Sequence, residues 1–271
     1  MARGGETPGG EHDRSALVTS RERRLEWLRL VRTKRWIALL GVYLFFGSVG
    51  PVIARYLSEI LSLAGGELEG AIIEIPPQVP ADGMAQYVSN AMQVGTLVAV
   101  AVAAGALAFD AVPEMGVFLR SRVDDVRAIL TPRFMLTAAA VSLSFLAGAL
   151  AAWFVTTVLI GALDPSHVLG GAAYGMHYLV FVAAMVGSVA SRAQSNLGTV
   201  MVSIVILLVL PLVGVVDPSG RWLPSHLAGA LRALPAGAAE VTDYLGAALA
   251  TVVLSVGLWW ITLRLARERE L

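Results

Sequence analysis

Six long stretches without a charged side chain constrain this sequence more than any other feature. Each stretch holds at least 19 residues that include no Asp, Glu, Lys or Arg. A helix needs about 20 mostly apolar residues to cross the hydrocarbon core of a bilayer, and one charge at its centre costs about 2.5–3.5 kcal/mol. The sequence therefore predicts six transmembrane helices, named span one to span six. They are expected at residues 36–54, 83–109, 134–163, 165–191, 193–216 and 244–263.

The composition fits a chain that lies mainly in lipid. Hydrophobic residues make up 56% of it, charged residues only 15%, and the mean hydropathy is +0.71. A soluble domain carries roughly 25% charged residues. The formal net charge of zero disfavours a nucleic-acid partner, and the absence of cysteine excludes disulfides and thiolate metal sites. The predicted fold class is an all-α polytopic membrane protein whose surroundings are membrane lipid.

The basic residues predict the orientation of the spans. Of 20 Lys and Arg, 17 lie in residues 1–35, in residues 110–133, or after spans four and six. Only Arg55, Arg221 and Arg232 lie on the opposite side. Because basic residues stay preferentially on the cytoplasmic side, both termini are expected in the cytoplasm and the protein in the cytoplasmic (inner) membrane.

The region before span one divides into two parts. Residues 1–19 are rich in Gly, Glu and Arg, which predicts a disordered cytoplasmic tail. In residues 20–35, Leu25, Leu28 and Val31 fall on one arc and arginines fill much of the rest. This pattern favours an amphipathic helix in the membrane interface. The same residues also suit a solvated extension of span one.

Two outer loops are long. Loop 57–82 is acidic and contains three prolines, and loop 217–243 contains three more. In the second loop Ser225 is a candidate N-cap for a short helix with a stripe of Leu227, Leu231 and Leu234. An apolar stripe of this kind is expected in the outer interface or against the bundle.

The chain carries little that predicts catalysis. It has no HExxH or GxSxG motif, and its only lysine, Lys34, does not stand in a phosphate-binding loop. We therefore expect no ATPase, no other enzyme activity, no metal and no cofactor in this chain. His177 is the one histidine well inside a span; it is either functional or bonded to a neighbouring helix. Gly171 and Gly175 permit close helix packing, within the chain or between two copies.

The inner segment 110–133 has the densest mixture of charges. Basic and acidic residues stand beside the apolar Val126, Ile129 and Leu130. A short amphipathic helix with charges of both signs suits docking on a cytosolic protein, where charge provides register and specificity. An ordinary solvated loop is the alternative.

Several motifs in this chain resemble one family of transporters. The sequence Glu114-Met115-Gly116-Val117 resembles a Glu-x-Gly-Thr motif that follows span two in permease subunits of ABC exporters of the type-two family. Residues 46–61 and the Pro-rich loop followed by Gln86, Tyr87 and Asn90 are similar to bacterial members. The resemblance covers roughly residues 20–266. The chain departs from the family in having Val117 for Thr, and Val123-Asp124-Asp125 in place of a Pro-containing turn.

The resemblance implies a function and partners. Residues 36–266 would form the six-helix permease domain, which pairs with a second copy or a homologous permease. Each permease would bind a cytosolic ABC ATPase that holds ATP and Mg, and the complex would export an unidentified substrate. An ion-coupled or passive transporter and a non-transporting membrane anchor or sensor are the alternatives. The residues implied for ATPase coupling are Glu114, Gly116, Arg120, Arg122, Asp124, Asp125 and Arg127.

Overall fold

The computed structural model describes residues 34–60, 77–108, 127–193, 195–216 and 218–268. All regular structure in these ranges is helical, with no strand among them. Six helices among the described residues are long and apolar enough to cross a membrane. The predicted all-α, multi-pass membrane protein is therefore confirmed. The spans are Arg35–Arg55, Pro80–Leu107, Arg127–Leu159, Pro165–Ala190, Asn196–Val216 and Leu245–Glu268.

Proline and aspartate define where two of the spans begin. Pro80 and Pro165 stand at the start of spans two and four, where a missing backbone N–H costs nothing. At span four the Asp164 carboxylate accepts hydrogen bonds from the Ser166 backbone N–H at 2.8 Å and from its hydroxyl at 2.7 Å. These bonds lower the pKa of Asp164. The carboxylate therefore caps span four in its charged form.

Span one begins directly after a residue whose backbone conformation is not helical. Lys34 has φ 54° and ψ 9°, in the left-handed region, and the helix starts at Arg35. A lysine rarely adopts this conformation, which cannot continue a right-handed helix. The right-handed helix of span one therefore does not include Lys34. Residues 20–33 of the predicted interfacial helix lie outside the described ranges.

Span three is much longer than predicted at one end. It runs for 33 residues from Arg127, so residues 127–133 continue the transmembrane helix and are not part of the loop. Its length of about 50 Å exceeds the roughly 30 Å of a hydrocarbon core. Pro132 is tolerated within it.

The bundle is organised around span four. Span four packs against spans two, three, five and six and against the outer segment. The most extensive contact between two spans joins spans one and three, where Gly47 lies directly against the backbone of Gly148. A side chain at either glycine would clash, so small residues set this close approach. Span five is the least buried.

The outer segment between spans five and six is made of short helical turns. Because they pack against spans four and six, they close one end of the bundle. Leu227, Leu231 and Leu234 are each 0% exposed, which confirms the predicted burial of this stripe. Ser225 is not the N-cap, because the turn begins one residue earlier, at Pro224, after Leu223. The turns are Pro218–Trp222, Pro224–Leu227, Ala230–Ala233 and Val241–Tyr244.

Candidate functional site

The predicted ATPase-coupling residues lie almost entirely outside the described ranges. Of the seven, Arg127 alone is described, and it is the exposed first residue of span three. The coupling residues outside the ranges are Glu114, Gly116, Arg120, Arg122, Asp124 and Asp125.

The first turns of span three pack against the C-terminal part of span six. Leu130 is 2% exposed and clusters with Ala266, Trp259 and Leu263. One turn further along, the Phe134 ring stacks on Trp259, with centroids 4.2 Å apart and planes 19° apart. Leu130 was predicted to belong to a docking surface for a cytosolic protein. Because the helix continues through it, Leu130 shares a face with Phe134 and packs inside the bundle.

A buried aromatic cluster lies where spans one, two and three meet. Tyr43 and Tyr87 are both 0% exposed, and their ring centroids lie 5.7 and 5.6 Å from Phe145. The Tyr87 hydroxyl donates a 2.7 Å hydrogen bond to the Phe145 carbonyl oxygen. The Tyr43 hydroxyl is buried and has no hydrogen-bond partner among the described residues. The cluster therefore combines one satisfied phenol with one that leaves polar capacity unused.

A π-helical turn interrupts span two beside this cluster. It covers Ala91–Gly95, and the Tyr43 ring lies so close to Gly95 that a Cβ there would come within 2.5 Å of it. Single π-turns inside α-helices are frequent at functional sites. The sequence carried no signal for this turn beyond the glycine itself.

His177, the histidine singled out in the sequence, lies near the middle of span four. It is half-buried and lines a groove between spans four and six together with Ser255 and Trp259. Thr251, Ser255 and Trp259 repeat every fourth residue in span six, so they share one face of that helix. This spacing marks one face of span six, but it does not indicate that the face meets span four.

The outer segment holds the other histidine with defined surroundings. His226 stacks on Tyr244 with centroids 4.7 Å apart, and the Tyr174 hydroxyl of span four donates to the Val241 carbonyl oxygen at 2.8 Å. Burial lowers the pKa of His226, and the nearby Asp243 carboxylate partly opposes this shift. The histidine is therefore harder to protonate where it packs on Tyr244, just before the start of span six.

The small residues of spans three and four serve packing within the chain. Gly171 lies against the backbone of Leu231 in the outer segment, and Gly175 against the ring of Phe145. This favours the intramolecular interpretation of the predicted GxxxG pair. In the described ranges, no three His, Cys, Asp or Glu side chains are grouped so that they could hold a metal ion.

With the fold and these sites in view, the chain was compared with known proteins. No protein-family model matches it, and neither the curated proteins nor the solved structures give a match.

Proposed function

We propose that the chain is the permease subunit of an ATP-driven ABC exporter in the cytoplasmic membrane, with both termini in the cytoplasm. The permease pairs with a second permease, and each binds a separate cytosolic ATPase. The substrate is moved outward when ATP binding and hydrolysis rearrange the spans. Two features support the assignment to this family: the motif Glu114-Met115-Gly116-Val117 and the layout of six predicted spans around it.

The observation that carries the proposal is the length of span three, whose described part begins next to the charged inner segment. The described helix begins at Arg127, which is one of the residues implied for ATPase coupling. At a tilt of 40°, which is large for a transmembrane helix, its 33 residues still project about 38 Å along the bilayer normal. This exceeds the hydrocarbon core of roughly 30 Å. One end of span three therefore extends out of the lipid.

The contacts at the base of span three provide a route for movement. A displacement at Arg127 is carried to span six through Leu130 and the stacked pair of Phe134 and Trp259. It reaches span one through the close contact of Gly148 with Gly47. Packed helices of this kind shift between discrete arrangements because their interfaces do not deform continuously. ATPase movement would in this way reach spans on both sides of span three.

The proposal is tested by purifying the full-length chain from its native membrane and measuring bound ATPase and chain-dependent ATP hydrolysis. We expect the double reversal Asp124→Arg with Asp125→Arg to weaken ATPase retention at least about 30-fold. The reason is that removing one partner of a buried charge pair costs about 2–5 kcal/mol. The matched control is Glu268→Arg, which breaks only the exposed 3.1 Å pair with Arg264 at the end of span six. Such a pair contributes less than about 1 kcal/mol.

The outcomes separate the proposal from its alternatives. If ATP hydrolysis does not depend on the chain, the exporter assignment fails. Substrate flux that follows an ion gradient and ignores ATP would indicate a coupled or passive carrier. A stable complex without flux of any kind would indicate an anchor or sensor. If the double reversal retains the ATPase as well as the control does, docking belongs to residues other than Asp124 and Asp125.

The orientation is tested separately with single cysteines, which can be introduced cleanly because the chain has none. Ala238 and Glu268 are both exposed and lie at opposite ends of the bundle. We expect a membrane-impermeant maleimide to label Ala238→Cys in intact cells and Glu268→Cys only after lysis. The reverse pattern would overturn the assignment of both termini to the cytoplasm.

A further inference from the structure

A groove lies between spans four and six on the lipid-facing surface of the bundle. Its volume is about 260 Å³. Val180, Val252 and Val256 form apolar walls, and the stacked Phe134 and Trp259 rings close one end. Two polar side chains, His177 and Ser255, also line it.

The polar side chains of the groove lie at half-depth in the membrane. His177 follows the start of span four at Pro165 by 12 residues and precedes its end at Ala190 by 13. At about 1.5 Å per residue, both ends are roughly 18–20 Å away. Ser255 lies close to the middle of span six. The polar groups of phospholipids stay outside a hydrocarbon core of about 30 Å, so a headgroup at its normal depth does not reach this point.

The groove has unused hydrogen-bonding capacity. Among the described residues, none makes a hydrogen bond with the His177 imidazole, and a neutral imidazole offers one donor and one acceptor. The Ser255 hydroxyl donates to the Thr251 carbonyl oxygen at 2.7 Å, which leaves its own oxygen free to accept. No water is available in the hydrocarbon region to satisfy these groups. A lipid acyl chain covers the valines, but it has no hydrogen-bond donor or acceptor for the imidazole.

We propose that this groove binds a neutral, membrane-soluble molecule that has an apolar body and one hydroxyl group. The hydroxyl oxygen accepts from the His177 N–H while its proton is donated to Ser255, so both polar side chains are satisfied. A charged ligand is disfavoured because charge at this depth is costly. The groove has the volume of roughly nine liquid water molecules, which suits an alcohol or phenol of about that many heavy atoms. This site goes beyond the proposed export function and does not depend on it.

The test uses the full chain in phosphatidylcholine nanodiscs, with a decanol that carries a photoactivatable diazirine in its chain. We expect saturable adducts on residues 252–259 that octan-1-ol competes away better than octane does. One hydrogen bond in a membrane protein corresponds to a preference of about 3- to 30-fold. His177→Leu should abolish the preference for the alcohol, and His177→Gln, which keeps a donor and an acceptor, should retain it.

A matched control lies on the outward face of the same helix. Val253 is 71% exposed, points away from the groove, and its substitution Val253→Leu should change neither the adducts nor the competition. Equal competition by octanol and octane in the unmodified chain would show that only acyl chains occupy the groove. Retained preference in His177→Leu would also overturn the proposal. So would cross-linking of two chains through Val256→Cys with loss of labelling, because a second copy would then cover the groove.

Discussion

Spans four and five lie side by side, but one is mostly buried in the bundle and the other is mostly exposed on its surface. Span five is the more apolar of the two. Within the most apolar 18-residue stretch of each helix, however, 61% of the stretch is buried in span four and only 11% in span five. In a soluble protein the more apolar helix would lie inside. Because lipid is as apolar as leucine, hydrophobicity does not draw a helix into a membrane bundle. What places span four at the centre is its small residues, such as Gly171 and Gly175, which allow neighbours to approach.

The buried side of span five follows the same rule. Among its described side chains the fully buried ones are Thr199 and Ser203, both small, while Leu208 and Leu212 are 66% and 65% exposed. Span five therefore touches the bundle through small polar residues and turns its large apolar residues outward. That outward face is available to lipid or to the second permease implied by the family resemblance.

The comparison is tested most severely by enlarging a small residue of span four. We expect Gly171→Leu to destabilise the chain by about 3 kcal/mol, at the upper end of overpacking effects, because the new side chain meets the Leu231 backbone. The measurement is reversible unfolding in mixed micelles. Gly257→Leu is the control, since nothing lies within 4 Å of Gly257. Equal losses in both variants would mean that leucine itself, rather than the close approach, is responsible.

The second test replaces one leucine by alanine in span four and one in span five. Leu179 in span four is 0% exposed and Leu208 in span five 66%. We expect Leu179→Ala to cost about 2 kcal/mol through the cavity that it leaves. Leu208→Ala should cost less than about 0.5 kcal/mol, because that side chain meets lipid before and after folding. Unfolding free energies that are equal within error would remove the distinction between the two spans.

The third test addresses the narrow contact face of span five. Ser203 is 0% exposed, and its hydroxyl has no hydrogen-bond partner among the described residues. We expect Ser203→Leu to cost about 1–2 kcal/mol by overpacking, and Ser203→Ala to be close to neutral. Val202→Leu, at a position 48% exposed, serves as the control in the same unfolding assay. A neutral Ser203→Leu would show that span five is not anchored through this residue.

The smallest expected effect is a dependence on pH in the outer segment that covers span four. Burial lowers the pKa of His226 below its ordinary value of 6.5. Protonation therefore favours the detached state, so stability is complete above pH 6.5 and falls as the pH decreases below it. We expect the protection of residues 224–234 against hydrogen exchange, corrected for the slower intrinsic exchange in acid, to fall as the pH decreases, while that of span five is unchanged. His226→Gln should remove the pH dependence, and a variant that keeps it would show that His226 is not the responsible group.

Prediction from the sequence succeeded where one physical term dominates locally. The spans and the buried stripe of Leu227, Leu231 and Leu234 were predictable because the cost of placing charge in lipid, or apolar surface in water, depends on nearby residues alone. Prediction failed at the start of span three, since residues 127–133 carry two arginines and yet continue the helix. Arg133 shows the reason. It is only 6% exposed, so tertiary packing buries a charged side chain that the search for charge-free stretches places outside the span.

The candidate sites required the three-dimensional structure. His177 stood out in the sequence because a titratable side chain deep in a span is rare, but Ser255 and Trp259 join it only because spans four and six pack together. The π-turn beside Tyr43 has no sequence signature of its own.

The sequence by itself predicted the six helices that the described ranges show to be long and apolar enough to cross a membrane, and which segments lie between them. Only the tertiary structure decided which span lies at the centre, which faces meet lipid, and where polar side chains converge. The physical reason is that water and lipid differ strongly as solvents for a side chain, whereas lipid and protein interior differ little. Crossing the membrane is therefore encoded in hydrophobicity, and packing inside it depends on the shapes of residues such as Gly47, Gly148 and Gly171.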